Sequence, residues 1–250
     1  MIDRLAQWIS QARNTVVFTG AGISTESGIP DFRSPGGIWA TSQPVYYDDF
    51  VASESSRLEY WRQKSVAFTE FAGATPNIGH QVLADWETRG QLHGVITQNI
   101  DGLHQDAGSK NVLEIHGTAR SVACLDCAWQ DDTRPWNEKF NAEGVPPTCP
   151  ECGGHVKHAT VSFGQSLDAD VLNQSFAWIQ DCDLFLALGS SLVVHPAANM
   201  PVVAKSQGAK LVIITRDSTP LDRDADLVIN GSLGETLVAV DSAVKELRDD

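Results

Sequence analysis

The stretch Thr15–Arg33, TVVFTGAGISTESGIPDFR, constrains the fold more than any other part of the chain. Val16-Val17-Phe18 is an apolar, β-branched and aromatic run of the kind that forms a buried strand. It leads into Gly20-Ala21-Gly22, where two glycines permit a tight turn and let a ligand approach the backbone closely. Ser24 and Thr25 are placed to cap a following helical turn, whose free N–H groups favour a pyrophosphate. The third glycine of a dinucleotide-binding fingerprint is missing, since Thr25 stands there, so a generic strand-to-helix joint also satisfies this signal taken alone. Gly28-Ile29-Pro30-Asp31-Phe32-Arg33 then adds a stiff turn, a carboxylate, an aromatic ring and a guanidinium, none of which a mere joint requires.

Further apolar runs at His93–Thr97, Val112–Ile115, Asp183–Leu188, Lys210–Thr215 and Ala225–Ile229 read as strands. Between them lie helical patterns: Ile2, Leu5 and Ile9 near the start, Leu58–Phe71, a helix opened by Thr75-Pro76, one capped by Ser166, and Pro196–Lys205. A last helix follows the capping box Ser232-x-x-Glu235. Strands that are apolar on both faces and alternate with helices predict a doubly wound α/β fold with a parallel sheet covered on both sides. In such sheets ligands gather at the strand exits, here Gly20–Arg33, Gln98–His104 and Gly189–Ser191.

Cys124-x-x-Cys127 and Cys149-x-x-Cys152 have the spacing of a tetrahedral zinc site on two knuckles, with Pro146-Pro147 and Gly153-Gly154 supplying turns. Four thiolates fill the coordination shell, so the predicted zinc is structural. The fifth cysteine, Cys182, heads an apolar strand and reads as a small core residue. The cysteine segment interrupts the α/β pattern with short, turn-rich sequence. The chain therefore divides into an α/β part over 1–120 and 159–250 and an inserted zinc module over 121–158, within one domain of 250 residues. The formal charge of −14 disfavours nucleic acid and favours basic, lysine-rich partners. No run is long enough to span a membrane, and the N-terminus carries no basic and apolar leader pattern, so a cytoplasmic location is expected.

His116, at a strand end before Gly117, reads either as a structural hydrogen-bonder or as a general base. Asp101 reads either as a loop cap or as a ligand contact.

Taken together, GAGIS at Gly20–Ser24, GIPDFR at Gly28–Arg33, TQNIDGLH at Thr97–His104, HG at His116–Gly117, the four cysteines, GSS at Gly189–Ser191 and VHPAA at Val194–Ala198 closely resemble the sirtuins, NAD-dependent protein deacylases. The resemblance covers nearly the whole chain and implies a Rossmann-type NAD-binding fold. In sirtuins the acyl-lysine carbonyl attacks the nicotinamide ribose, nicotinamide leaves, and a ribose hydroxyl then takes the acyl group. By resemblance His116 is the base for that hydroxyl, Asn99 and Asp101 hold nicotinamide, and Gln98 contacts a ribose. Phe32 shields the reactive carbon. Arg33 and the Gly20, Ala21 and Gly22 backbone meet the phosphates. Ser24, Asp31, Ile100, Gly189, Ser190, Ser191, Thr215, Arg216 and Leu233 complete the expected NAD contacts. An acylated peptide is expected to add as a strand between the Phe163-Gly164 segment and Leu192–Val194, touching Val161, Phe163, Gly164 and Val194.

Departures from the family pattern bear on specificity. Gln165 stands where sirtuins often carry glutamate, and Thr215 stands where an asparagine commonly reads the adenine ribose. Arg216 beside it could accept a 2′-phosphate. The desuccinylase branch carries a Tyr-x-x-Arg pair near Leu58–Lys64, where this chain has Trp61 and Lys64, which favours small uncharged acyl groups such as acetyl. Mono-ADP-ribosyl transfer and an inactive NAD-sensing adaptor are the competing expectations.

Overall fold

Five residues in a row are buried in β1 (Thr15–Thr19) and again in β7 (Leu184–Leu188), and these two strands pair in parallel at the centre of the sheet. The computed structural model describes residues 1–31, 37 and 43–249. Around the central pair, β2 (Gly94–Thr97) and β3 (Val112–Glu114) extend one side, and β8 (Lys210–Ile214) and β9 (Leu227–Ile229) the other. The resulting order is β3-β2-β1-β7-β8-β9, all parallel. The chain order of the sheet reverses between β1 and β7, and that switch point opens a crevice at the strands' carboxyl ends.

The pleat explains why these strands read as unbroken apolar runs. Val17, Val95, Leu186 and Val212 face a core formed with α1 (Ile2–Gln11), α4 (Ile78–Thr88) and α9 (Leu233–Asp249). Their neighbours Val16, Phe18, Ile96, Phe185 and Ile213 face the opposite core, formed with α7 (Ala169–Asp181) and α8 (Met200–Ser206). A short helix, α5 (Leu103–Asp106), follows the exit of β2.

The second layer is a three-stranded antiparallel sheet, with β4 (Gly117–Cys124) between β5 (Gln130–Asp132) and β6 (Val156–Thr160). It begins before and ends after the sequence-predicted bounds of 121–158. The segment is also less turn-rich than its composition suggests, since Thr133–Glu143 forms an 11-residue helix, α6. Its N-cap is Asp132, whose carboxylate accepts from the Arg134 amide. Two helices from the first part of the chain, α2 (Tyr47–Ala52) and α3 (Glu54–Phe71), join this layer. Phe50, Tyr60 and Trp61 pack with Val122, Phe140 and Val156, and the buried Trp61 Nε1 donates to the Val156 carbonyl at 3.0 Å.

Several helix starts differ from the sequence reading. α4 begins after Asn77, whose side chain accepts from Gly79 and His80 while His80 reaches back, so the box lies two residues beyond Thr75. Asp168, not Ser166, caps α7. Pro196 follows a cis peptide and precedes a 3₁₀ turn at Ala197–Asn199 that leads into α8. At α9 Ser232 accepts from the Glu235 amide as expected, but the Gly234 amide is satisfied by Glu26, whose carboxylate also accepts from Ser232.

Candidate active site and metal centre

The exits of β1 and β7 touch through glycine. Gly20 and Gly22 donate to the carbonyls of Leu188 and Gly189 at 3.1 and 2.8 Å. A Cβ on Gly22 would lie 2.7 Å from Gly189 Cα, and one on Gly20 would lie 2.9 Å from the Gly189 oxygen. Gly189 itself has φ +59° and its own Cβ would meet the Ile23 nitrogen at 2.6 Å. Both neighbours here are backbone and cannot swing aside. Gly22→Ala should therefore cost about 1–3 kcal/mol by overpacking, read as a lowered Tm together with weakened NAD binding.

Beyond the glycines lie two 3₁₀ turns, Ala21–Ile23 and Thr25–Ser27, and neither has a side-chain cap. Ser24 and Thr25 have other partners. Thr25 donates to the Gly22 carbonyl, and Ser24 Oγ donates to Asp101 Oδ2 at 2.7 Å. Asn99 Nδ2 donates to Ser24 Oγ at 3.0 Å and to the Gly20 carbonyl at 3.2 Å, so Asn99, Ser24 and Asp101 form one directional chain across the floor of the crevice. The second Asp101 oxygen accepts from the Leu103 amide, the first of α5, so this carboxylate fixes the start of that helix and lines the site at once.

A buried relay holds that floor from behind. The Asn99 amide donates to Thr97 Oγ1 at 3.0 Å, Thr19 Oγ1 donates to the same oxygen at 2.8 Å, and His104 Nε2 lies 3.0 Å from Thr19 Oγ1. Because Thr19 uses its proton toward Thr97, His104 carries its proton on Nε2. Sequence reasoning placed Thr97 and His104 in a motif without giving them this role, and it missed Thr19 and the adjacent His80. The available signal was the strand register, which sets Thr19 directly beside Thr97.

His116 Nδ1 lies 3.0 Å from the Gln98 carbonyl, which can only accept. Nδ1 is therefore protonated, and Nε2 carries the lone pair. Burial pushes the imidazole below its ordinary pKa, while the Gln98 bond acts in the other direction, so the ring is neutral at physiological pH. Gln98 is fixed in turn by Ser190, whose Oγ accepts from its amide at 2.8 Å. Across the crevice, Arg216 pairs with Asp31 at 3.6 Å, so the guanidinium expected to be available to a 2′-phosphate already has a carboxylate partner. The His116 carbonyl accepts from the Val161 amide at 2.8 Å, which ties the ring's backbone to the predicted peptide segment. Every described residue expected to contact NAD or peptide lines this one cleft, including Ile100, Thr215, Leu233, Val161, Phe163, Gly164 and Val194. Phe32 and Arg33 lie outside the described residues.

Three buried histidines set an acid limit on the fold. His80, His104 and His158 are each at most 1% exposed, and burial pushes them down to about 4, 3 and 3 respectively. Below the unfolded value near 6.5 the unfolded chain takes up protons that the folded chain refuses, so stability falls as pH falls. Each histidine should remove on the order of 1.4 kcal/mol per pH unit. Thermal melts should show Tm dropping steeply between about pH 6.5 and 4.5, and a flat profile there would contradict these assignments.

In the second layer, Cys124, Cys127, Cys149 and Cys152 place their sulfurs within 4.8 Å of one another. Individual Sγ separations of 3.5, 3.7 and 3.5 Å match the edge of a tetrahedron around zinc, about 3.8 Å for bonds of about 2.3 Å. The donor set therefore fits a structural zinc ion. Cys182 is buried apart from it, with its thiol on the Ile179 carbonyl.

The profile of the Sir2 family matches residues 20–196. An NAD-dependent protein deacetylase of Rhodopseudomonas palustris is 48% identical over 238 residues, covering 94% of each chain. An NAD-dependent protein deacylase of Archaeoglobus fulgidus is 40% identical, covering 100% of this chain and 98% of its own. Among solved structures, a Sir2 protein with a p53 peptide and NAD+ superposes with a TM-score of 0.89 at 35% identity over the full length of both chains. The motifs, the sheet order with its glycine switch point and these matches agree, and the chain belongs to the Sir2 family.

Proposed function

We propose that this cleft removes acyl groups, acetyl foremost, from lysine side chains of proteins, consuming NAD and producing nicotinamide and O-acyl-ADP-ribose. The observation that carries the reading is the state of His116: a neutral ring with Nδ1–H fixed on Gln98 and a lone pair at Nε2 that no described residue takes up, in the same cleft as the Asn99–Ser24–Asp101 chain. NAD supplies a ribose carbon that becomes electrophilic as nicotinamide departs. The chain's own residues bind, orient and move protons around it. Asn99 and Asp101 hold the carboxamide of nicotinamide, with Ser24 fixing both. The glycine contact at Gly20, Gly22 and Gly189 lets the pyrophosphate approach the backbone without a Cβ in the way. Ser190 and Ser191 supply a second set of cofactor contacts, Thr215 meets the adenine ribose, and Leu233 completes the NAD contacts. His116 Nε2 accepts the proton of a ribose hydroxyl as that hydroxyl attacks the acyl carbon.

The substrate lies along the Val161–Gly164 segment with Val194 beside its acyl-lysine. The relatives' names support this reading, since those proteins are NAD-dependent deacetylases and deacylases. So does a Sir2 structure solved with a deacetylated p53 peptide and 3′-O-acetyl-ADP-ribose, 37% identical with a TM-score of 0.89. Residues 121–158 act as a zinc-held insertion that supports the peptide side of the cleft. The cytoplasm is the proposed compartment, supported by cysteines arranged for a metal and not for disulfides.

The test is NAD consumption with and without an acetyl-lysine peptide. Nicotinamide release that depends on the acetylated peptide, and is absent with the unmodified one, supports deacylation. Release that ignores the peptide's acetylation contradicts it.

A further inference from the structure

Lys157 is a lysine in the interior of β6, 2% exposed. Its ammonium has three N–H donors and three acceptors: the carbonyls of Thr160 and His158, the latter at 3.2 Å, and Gln165 Oε1 at 3.2 Å. Gln165 Oε1 also accepts from the Ser162 amide at 3.1 Å, and the Gln165 amide donates back to the Ser162 carbonyl at 3.0 Å. One buried cation thus closes the turn from Thr160 to Gln165, the stretch that carries Val161, Phe163 and Gly164. The groups facing it are cationic or neutral: Lys64 and Tyr60 from α3, with the Tyr60 ring 5.7 Å away, and His158 beside it. Among the described residues no carboxylate pairs with it. A buried cation without an anion is costly, and its three hydrogen bonds offset only part of that cost.

Resting on the deacylase reading, we propose that Lys157 and Gln165 together are positioning residues for the acylated peptide, holding the Ser162–Gln165 turn, and with it Val161 and Phe163, in the form beside which the peptide lies. Neither side chain touches the reacting atoms. Their effect is on peptide affinity and not on the NAD side of the cleft. Burial, and then Lys64, pushes Lys157 down to about 7, so the ammonium is complete below that pH and loses one donor above it. Peptide affinity therefore falls as pH rises through neutrality. Glutamate at 165 would keep both bonds, add the missing anion and hold the ammonium charged to higher pH.

The experiment measures binding of a fluorescent acetyl-lysine peptide without histidine by anisotropy, and of NAD by calorimetry, on the full chain at several pH values. Gln165→Ala should weaken the peptide about fivefold, one hydrogen-bonded acceptor's effect, with NAD binding unchanged. Lys157→Met should weaken it roughly tenfold or more and remove the pH dependence. Gln165→Glu, at a half-exposed position that tolerates exchange, should bind at least as well as wild type and move the affinity loss up by about 1 pH unit or more. Wild-type peptide affinity in Gln165→Ala, equal weakening of peptide and NAD, or an unmoved pH profile in Gln165→Glu would each overturn the proposal. Failure of the wild-type chain to bind acetylated peptide at any pH would instead overturn the deacylase reading and this inference with it.

Discussion

His116→Ala should reduce deacylation by about 10²- to 10⁴-fold, the usual contribution of a general base, while NAD affinity stays within about threefold and Tm changes little. The split is expected because the ring's contact among the described residues is a single bond to the Gln98 carbonyl, and Gln98 keeps a separate anchor on Ser190. Calorimetry with NAD and steady-state rates on one preparation decide it. Equal loss of binding and turnover would mean that His116 is a structural hydrogen-bonder. The pH profile gives an independent check. The active form is the neutral imidazole, and burial lowers the pKa at which it is lost. At saturating peptide the wild-type rate should therefore hold through neutrality and fall only in acid.

Replacing Cys124 and Cys127 together by serine should release zinc and unfold the second layer. A structural zinc site contributes roughly 10–16 kcal/mol of apparent binding free energy, which matches or exceeds the whole net stability of about 5–15 kcal/mol usual for a domain. The loss should reach the cleft, because β4 starts at Gly117, directly after His116, and Gly117 pairs with Thr160 on β6. Zinc content, Tm and activity should fall together on chelation, and other divalent ions should not raise the rate, since four thiolates leave no open coordination position. Full activity and unchanged melting in zinc-free protein would contradict the assignment.

The parts of the molecule legible in the sequence are those set by local pattern. The central parallel strands are apolar on both faces because helices cover both sides. Their exits carry the polar residues because a doubly wound sheet leaves them open at the switch point. The cysteine spacing is short and needs no knowledge of the fold. What the sequence hid depends on distant partners. Ser24 has the composition of a helix cap, yet its hydroxyl serves Asp101, 77 positions away. Thr75 and Ser166 look like caps, but Asn77 and Asp168 have the geometry for it. α6 lies between the two cysteine pairs and was obscured by polar residues that face solvent. Lys157 and His158 break the apolar pattern of β6, and their burial is intelligible only once Trp61 and Tyr60 of α3 are seen packed over them.

The most direct test of the central claim is mass spectrometry of an acetyl-lysine peptide incubated with the protein, with and without NAD. NAD-dependent loss of the acetyl group is expected, with nicotinamide and O-acetyl-ADP-ribose formed in equal amounts. Nicotinamide formed while the peptide stays acetylated would contradict it and move ADP-ribosyl transfer or NAD hydrolysis into its place.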